Sequence, residues 1–334
     1  MTRAVAAGLT APDPVLEVEL RTRLDDVEET LEKAVRSDTD FVTEAASYLV
    51  AAGGKRFRPM LVLLAGYFGD PTDPRLIQGA TAIEITHLAT LYHDDVIDEA
   101  DERRGRPSVN ARWDNTVAIL TGDFLFAKAS EISAELGTDV SKLLARTIAV
   151  LCDGQIREVG ASGRADQTVG SYMEIIRRKT AQLIAASCRL GGMLSGAPPE
   201  VIELLDDYGM TLGMAFQLSD DIMDVIASEE ELRKKPGQDL LEGVYTLPVL
   251  YALEGSQQAG ELAELLAPGP PDGERFERAF AIVREDGALD RARAEVAWQV
   301  GRARDLALGL HPGPARDAFV HIAEFLAARC GATP

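Results

Sequence analysis

The chain has 334 residues and a mass of 36.0 kDa, with 46% hydrophobic, 26% charged and 6% aromatic residues, a globular composition that excludes a fibre or a disordered tail. Fifty-four acids against 34 lysines and arginines give a formal net charge of −20, which disfavours nucleic acid and anionic lipid as partners over most of the surface. A phosphorylated ligand therefore requires a local site where side-chain or metal cations reverse that sign.

Cys152, Cys188 and Cys330 have neither paired spacing nor companion histidines, so no disulfide framework or zinc site is expected and a reducing cytoplasm is the default. No stretch has the length and apolarity of a signal peptide or a membrane span, so the expectation is a cytoplasmic protein.

Residues 1–14 read as a flexible leader ending in Pro12 and Pro14, and residues 15–334 as one helical domain. From Val15 onward, Leu20, Leu24, Val27, Leu31 and Ala34 recur at helical spacing with acids on the other face. The same reading predicts helices over 39–52, 58–68, 74–98, 108–135, 139–160, 169–190, 198–227, 245–266, 273–285, 287–308 and 314–330, with breaks where Gly and Pro cluster. Strand alternation is not evident. The fold class is thus all-α: a single large bundle of ten or more helices, many packed through small alanines, around a central cavity that holds the site.

The most specific feature occurs twice: Asp94-Asp95-Val96-Ile97-Asp98 and Asp220-Asp221-Ile222-Met223-Asp224. With 27 aspartates in the chain, about 0.2 such spacings are expected by chance. Positions i and i+4 share a helix face, so Asp94 with Asp98, and Asp220 with Asp224, project carboxylates together; such like charges destabilise a helix unless a cation lies between them. Hard oxygen donors in this pattern suit Mg²⁺ bridging carboxylates to substrate phosphates. The isolated doublets Asp25-Asp26 and Asp206-Asp207 read instead as solvated surface.

Scarce positive charge gathers near these acids. Gly53-Gly54-Lys55-Arg56-Phe57-Arg58-Pro59 sets three basic residues at a helix start, where N–H groups and the dipole favour an anion, and Arg103-Arg104 follows the first acidic motif. Lys179-Thr180, Gln217 and Lys234 are weaker signals taken singly.

In combination and in this order, from about residue 40 to 250, these residues resemble the trans-prenyltransferases, the polyprenyl diphosphate synthases. The resemblance implies an isoprenoid-synthase-type fold and condensation of isopentenyl diphosphate with an allylic diphosphate. It implies that Asp94, Asp95, Asp98, Asp220, Asp221 and Asp224 hold Mg²⁺, three ions in all, on the allylic diphosphate. Lys55, Arg58, His87 and Arg104 match positions that hold isopentenyl diphosphate, and Arg103 a ligand of the allylic diphosphate. Lys179, Thr180, Gln217 and Lys234 match residues lining the allylic diphosphate and the reacting centre, with Asp94, Asp95, Lys179 and Asp220 central to catalysis; Asp239 matches an acid after the second motif. The departing diphosphate, not a side chain, accepts the proton. His93, beside the first motif, reads equally as a helix residue satisfied by a neighbour. One departure is visible: Glu242-Gly243 is followed by Val244-Tyr245, where the family often has a lysine.

Product length is expected to depend on the residues about one turn, near 5.4 Å, before Asp94. These are Thr90 and Ala89, where short-chain family members place an aromatic; their small side chains imply a product of about C30 to C50, with Ile85 and Thr86 as medium-sized obstacles one turn deeper. The alternatives are a C20 (geranylgeranyl) synthase and a non-catalytic subunit of a prenyl synthase. A terpene cyclase is disfavoured because its second metal motif normally differs and it needs no isopentenyl site. The resemblance also implies a homodimer and at most transient membrane contact for product release.

Overall fold

The computed structural model describes residues 12–227, 236–285 and 287–332. The helices are α1 (Pro14–Ala34), α2 (Asp40–Ala51), α3 (Phe57–Ala65), α4 (Arg75–Ile97), α5 (Val109–Arg112), α6 (Asn115–Leu136), α7 (Thr138–Ala161), α8 (Val169–Ile176), α9 (Gln182–Ser195), α10 (Pro199–Ile226), α11 (Gln238–Leu241), α12 (Leu247–Gly255), α13 (Ala259–Leu266), α14 (Gly273–Glu285), α15 (Ala288–Leu308) and α16 (Pro314–Arg329). A 3₁₀ turn, Gly66–Phe68, follows α3, and a π turn, Arg177–Ala181, joins α8 to α9. The all-helical expectation holds, and no helix among the described residues is long and apolar enough to cross a membrane.

Local chemistry explains where the boundaries depart from the spacing pattern. The expected helix 108–135 is two: Asp114 turns the backbone out of helix and caps α6, the Val117 N–H donating to its Oδ1 at 2.8 Å. The expected helix 245–266 also divides, because Ser256 is extended and its Oγ accepts the Gln258 N–H at 2.9 Å. The expected helix 58–68 tightens into the 3₁₀ turn, and 169–190 runs on to Ser195 through the π turn. A strand pair was not foreseen: β1 (Glu102–Arg103) lies antiparallel to β2 (Arg106–Pro107). Its two turn residues, Arg104 (φ 56°) and Gly105 (φ 72°), have the positive φ pair of a type I′ hairpin.

The chain divides into two compact units. The first takes in the described parts of Met1–Ile148 with Leu183–Asp206 and Leu310–Ala318; the second is Ala149–Gln182, Asp207–Gly309 and the described part of Phe319–Pro334. In the first unit α4 is the centre. Leu76, Ala80, Ile83, Ile85, Leu88, Ala89 and Tyr92 are buried round most of it, as a helix enclosed by others requires, and the half-buried His87, Thr90 and Asp94 recur at helical spacing as a polar stripe. α1, α3 and α6 pack on it. Each buried Leu or Ile contributes about 1.5–3 kcal/mol. The buried hydroxyls of Thr81 and Thr86 donate to the carbonyls four residues earlier, both at 2.8 Å, which lets polar residues sit in this core.

In the second unit α12 packs on α13, α14 and α15. Tyr208 of α10 donates its hydroxyl to the Phe319 carbonyl at 2.6 Å, with their rings 4.5 Å apart, and Ser219 donates to the Leu326 carbonyl at 3.2 Å. These contacts hold the part of α10 that carries the second acidic motif against α16.

Candidate functional site

The first acidic motif closes α4. Asp94 is half-buried, Asp95 is fully buried, and Asp98 is the exposed C-cap whose N–H donates to the Asp94 carbonyl at 2.8 Å. The hairpin then brings a cation back: Arg103 Nε donates to Asp95 Oδ1 at 2.6 Å. Burial pushes the Asp95 carboxyl above the usual range, with Arg103 acting against it. Its other oxygen, Oδ2, is buried with no hydrogen-bond partner. A buried carboxylate oxygen left so costs of the order of kcal/mol and is satisfied by a cation, so this donor set fits a hard metal ion. Among the described residues no three His, Cys, Asp or Glu side chains converge closely enough to hold an ion unaided.

The Gly-Gly-Lys-Arg run lies in the same unit. Arg56 caps α3 in a left-handed conformation (φ 48°), a strained choice for a residue with a Cβ. The strain is offset by a buried ion-pair network: Nη1 donates to Glu84 Oε1 at 2.7 Å, Nη2 to Glu28 Oε2 at 3.0 Å, and Nε to Glu28 Oε1. Arg56 is thus an anchor, while Lys55 stays exposed and Arg58 half-buried. Arg104, at the hairpin turn, donates to the carbonyls of Leu49 (3.1 Å) and Gly53, tying the glycine run to the segment after the first motif. A Cβ at Gly54 would come within 3.0 Å of Arg56 Nη1 and 3.1 Å of Arg104 Nη1, so a side chain there would require the two guanidinium groups to shift by a few tenths of an ångström. His87 is held well below the usual histidine range, first by desolvation and then by Arg58, Arg104, Arg56 and Arg103, so it is neutral at pH 7. His93 meets the Ile119 carbonyl at 3.1 Å, the ordinary satisfaction of a helix residue.

The second motif lies in the second unit and is supported differently. Tyr172 donates its hydroxyl to Asp221 Oδ2, and Gln217 Nε2 donates to Asp221 Oδ1 at 2.9 Å. Thr180 Oγ1 donates to Gln217 Oε1 at 2.7 Å, so a continuous network joins the π turn to this motif. Burial first, and Asp239 second, raise the Asp221 carboxyl well above its usual range. Asp220 receives Arg329 Nη2 at 2.6 Å. Asp224 is buried; Oδ2 accepts the Asp239 N–H at 3.3 Å, and its carbonyl accepts the Gly237 N–H at 2.9 Å. Lys179 Nζ donates to Glu158. Lys234 lies outside the described residues.

The structure therefore gathers Lys55, Arg58, His87, Arg103, Arg104, Asp94, Asp95 and Asp98 in one unit, and Lys179, Thr180, Gln217, Asp220, Asp221 and Asp224 in the other. Five supporting residues were missed from the sequence: Glu28, Glu84, Glu158, Tyr172 and Arg329. Only Glu84 carries a signal there, as a lone acid inside the apolar run Ala82-Ile83-Glu84-Ile85.

The polyprenyl synthetase family profile matches residues 39–283. Heptaprenyl diphosphate synthase component 2 of Geobacillus stearothermophilus is 43% identical, covering 91% of this chain and 94% of its own. Nonaprenyl diphosphate synthase of Mycobacterium tuberculosis is 39% identical, covering 98% of each. The crystal structure of geranylgeranyl pyrophosphate synthase from Corynebacterium glutamicum, complexed with calcium and isoprenyl diphosphate, superposes with a TM-score of 0.85 at 40% identity, over 96% of this chain and 98% of that one. The chain belongs to the polyprenyl synthetase family, the trans-polyprenyl diphosphate synthases, and is a prenyltransferase.

Proposed function

We propose that the chain condenses isopentenyl diphosphate head to tail with an allylic diphosphate, releasing a polyprenyl diphosphate of about C30 to C50. The observation that carries this reading is Asp95, a fully buried carboxylate with one oxygen on Arg103 and the other with no protein donor. The family match at 39–283 draws on both units, which supports one prenyltransferase domain over residues 15–334.

Asp94, Asp95 and Asp98, with Asp220, Asp221 and Asp224, would hold Mg²⁺, three ions with the substrate diphosphate. Bound there, Mg²⁺ supplies Lewis-acid stabilisation of the leaving diphosphate as carbon–oxygen heterolysis develops charge. Arg103 and Lys179 add fixed positive charge to the allylic diphosphate, with Lys234. Lys55, Arg58 and Arg104 bind isopentenyl diphosphate, and neutral His87 adds a hydrogen bond and no charge. Thr180 and Gln217, fixed by their mutual bond and by Asp221, line the reacting centre. Apolar walls exclude water from the carbocation. The departing diphosphate takes the final proton, so no side chain serves as general base.

The test is incubation of purified protein with Mg²⁺, isopentenyl diphosphate and C10, C15 or C20 allylic diphosphates, with products sized by mass spectrometry. Failure to consume isopentenyl diphosphate with every primer would reject the reading. Ala89 is fully buried and Thr90 half-buried on α4, so Ala89→Phe is expected to shorten the product; an unchanged length contradicts this account of chain-length control.

A second reading, in which turnover requires a partner subunit, is favoured by the relative that is component 2 of a two-part synthase. Activity of the purified chain alone decides between the two. For the chain alone we propose a cytoplasmic homodimer with transient membrane contact, supported by exposed Ile119 and Leu120 on α6 and checked by light scattering.

A further inference from the structure

Val169 to Ser195 is continuous helix except for the π turn Arg177–Ala181, where the Gln182 N–H reaches back to the Arg177 carbonyl. A π turn is wider than an α turn and is poorly populated unless its surroundings hold it, which is why such turns mark functional positions. This one carries Lys179 and Thr180. Two helices press on it through glycines. A Cβ at Gly154 of α7 would lie 2.7 Å from the Lys179 backbone nitrogen, 2.9 Å from Arg178 Cβ and 3.1 Å from the Arg178 carbonyl carbon. A Cβ at Gly213 of α10 would lie 2.5 Å from Ala181 Cα and 2.8 Å from its Cβ. The nearest obstacle in each case is a main-chain atom, which cannot swing aside as the end of a side chain can. Gly160, further along α7, faces nothing within 4 Å.

Side-chain bonds from the turn continue the same pattern. Lys179 reaches Glu158, one helical turn past Gly154 on α7, and Thr180 reaches Gln217, one turn past Gly213 on α10. Each helix thus offers a bare backbone to receive the turn and, four residues later, a polar group to aim one of its side chains.

We infer that Gly154 and Gly213 are positioning residues for the prenyl transfer: lacking a Cβ, they let α7 and α10 seat the π turn at the depth that directs Lys179 and Thr180 to the allylic diphosphate. The inference rests on the assignment of Lys179 and Thr180 proposed above. A methyl group at either glycine displaces the turn by a fraction of an ångström to about one ångström, a misplacement of the size that costs about 10²-fold in rate.

The test compares Gly154→Ala, Gly213→Ala, Gly160→Ala and Lys179→Ala in steady-state turnover with Mg²⁺, isopentenyl diphosphate and a C15 allylic diphosphate, alongside thermal melts. Expected for Gly154→Ala and Gly213→Ala are a kcat lower by about 10²-fold and an allylic KM raised at least about fivefold, with the isopentenyl KM within about twofold and a cooperative melt retained. A smaller active fraction would lower kcat alone and leave both KM values unchanged. Gly160→Ala is expected to match the wild type. Wild-type kinetics in both buried-glycine variants, or loss of the cooperative melt in both, would overturn the inference; the second outcome would assign the glycines to the fold and not to the turn. Wild-type turnover in Lys179→Ala would instead overturn the assignment on which the inference rests.

Discussion

The two aspartate motifs share one five-residue pattern but are stabilised by different means. The first, at the end of α4, stands among cations: Arg103 lies on Asp95, and burial first, with Arg58, Arg104, Arg56 and Arg103 added, lowers the His87 pKa in the same unit. The second, inside α10, carries hydrogen bonds to Asp221 from Tyr172 and Gln217 and the loop N–H on Asp224, and Asp220 is paired with Arg329. Identical motifs therefore do not imply identical sensitivities. A region organised by guanidinium groups fails when a charge is removed, whereas a hydrogen-bonded region fails by smaller steps.

The largest expected effect on stability is at the charged side. Arg56→Ala leaves Glu84, which is 2% exposed, without its cation, so a loss of about 3–5 kcal/mol is expected in urea unfolding. A loss below about 1 kcal/mol would mean that Glu84 is solvated or protonated without Arg56, and the contrast between the two regions would fall. On the hydrogen-bonded side, Tyr172→Phe removes one of two side-chain donors to Asp221 and is expected to cost about 1–3 kcal/mol by the same measurement. An effect as large as that of Arg56→Ala would erase the distinction.

The smallest effect is a pH dependence. His87 binds its proton more weakly in the folded chain than in the unfolded one, whose histidine titrates near 6.5. The unfolded state therefore takes up more protons below about pH 6.5, and the contribution of His87 to stability, complete above that value, is lost as pH falls through it toward the folded value. His87→Gln is expected to flatten this part of the stability profile. An unchanged profile would show that neither burial nor the arginine cluster weakens proton binding at His87.

Much of this was legible in the sequence for a physical reason: helical period and carboxylate spacing are local. Asp94 with Asp98, Asp220 with Asp224 and the basic run at the start of α3 all depend on residues within a turn or two of one another. The β-hairpin was not legible because two-residue strands leave no alternation to count, although Arg104-Gly105 is turn chemistry in retrospect. The π turn left no trace because Arg177-Arg178-Lys179-Thr180-Ala181 keeps a helix-forming composition, and its close approach to Gly154 of α7 and Gly213 of α10 is a contact between segments distant in sequence. Glu158 and Tyr172 stand 21 and 49 residues from their partners, a separation that a periodicity argument does not bridge. Arg56 shows the same limit from the other side. Its place in the run was visible, but its role as a buried anchor depends on Glu28 and Glu84 reaching it through the fold.

The central claim is that both acidic motifs serve one metal-assisted prenyl transfer. It is tested most directly by Mg²⁺-dependent turnover of isopentenyl diphosphate in Asp94→Ala and Asp220→Ala, with folding verified by circular dichroism. The account predicts a loss of about 10³-fold or more in each variant with the helical signal intact. Wild-type turnover in either folded variant would contradict it.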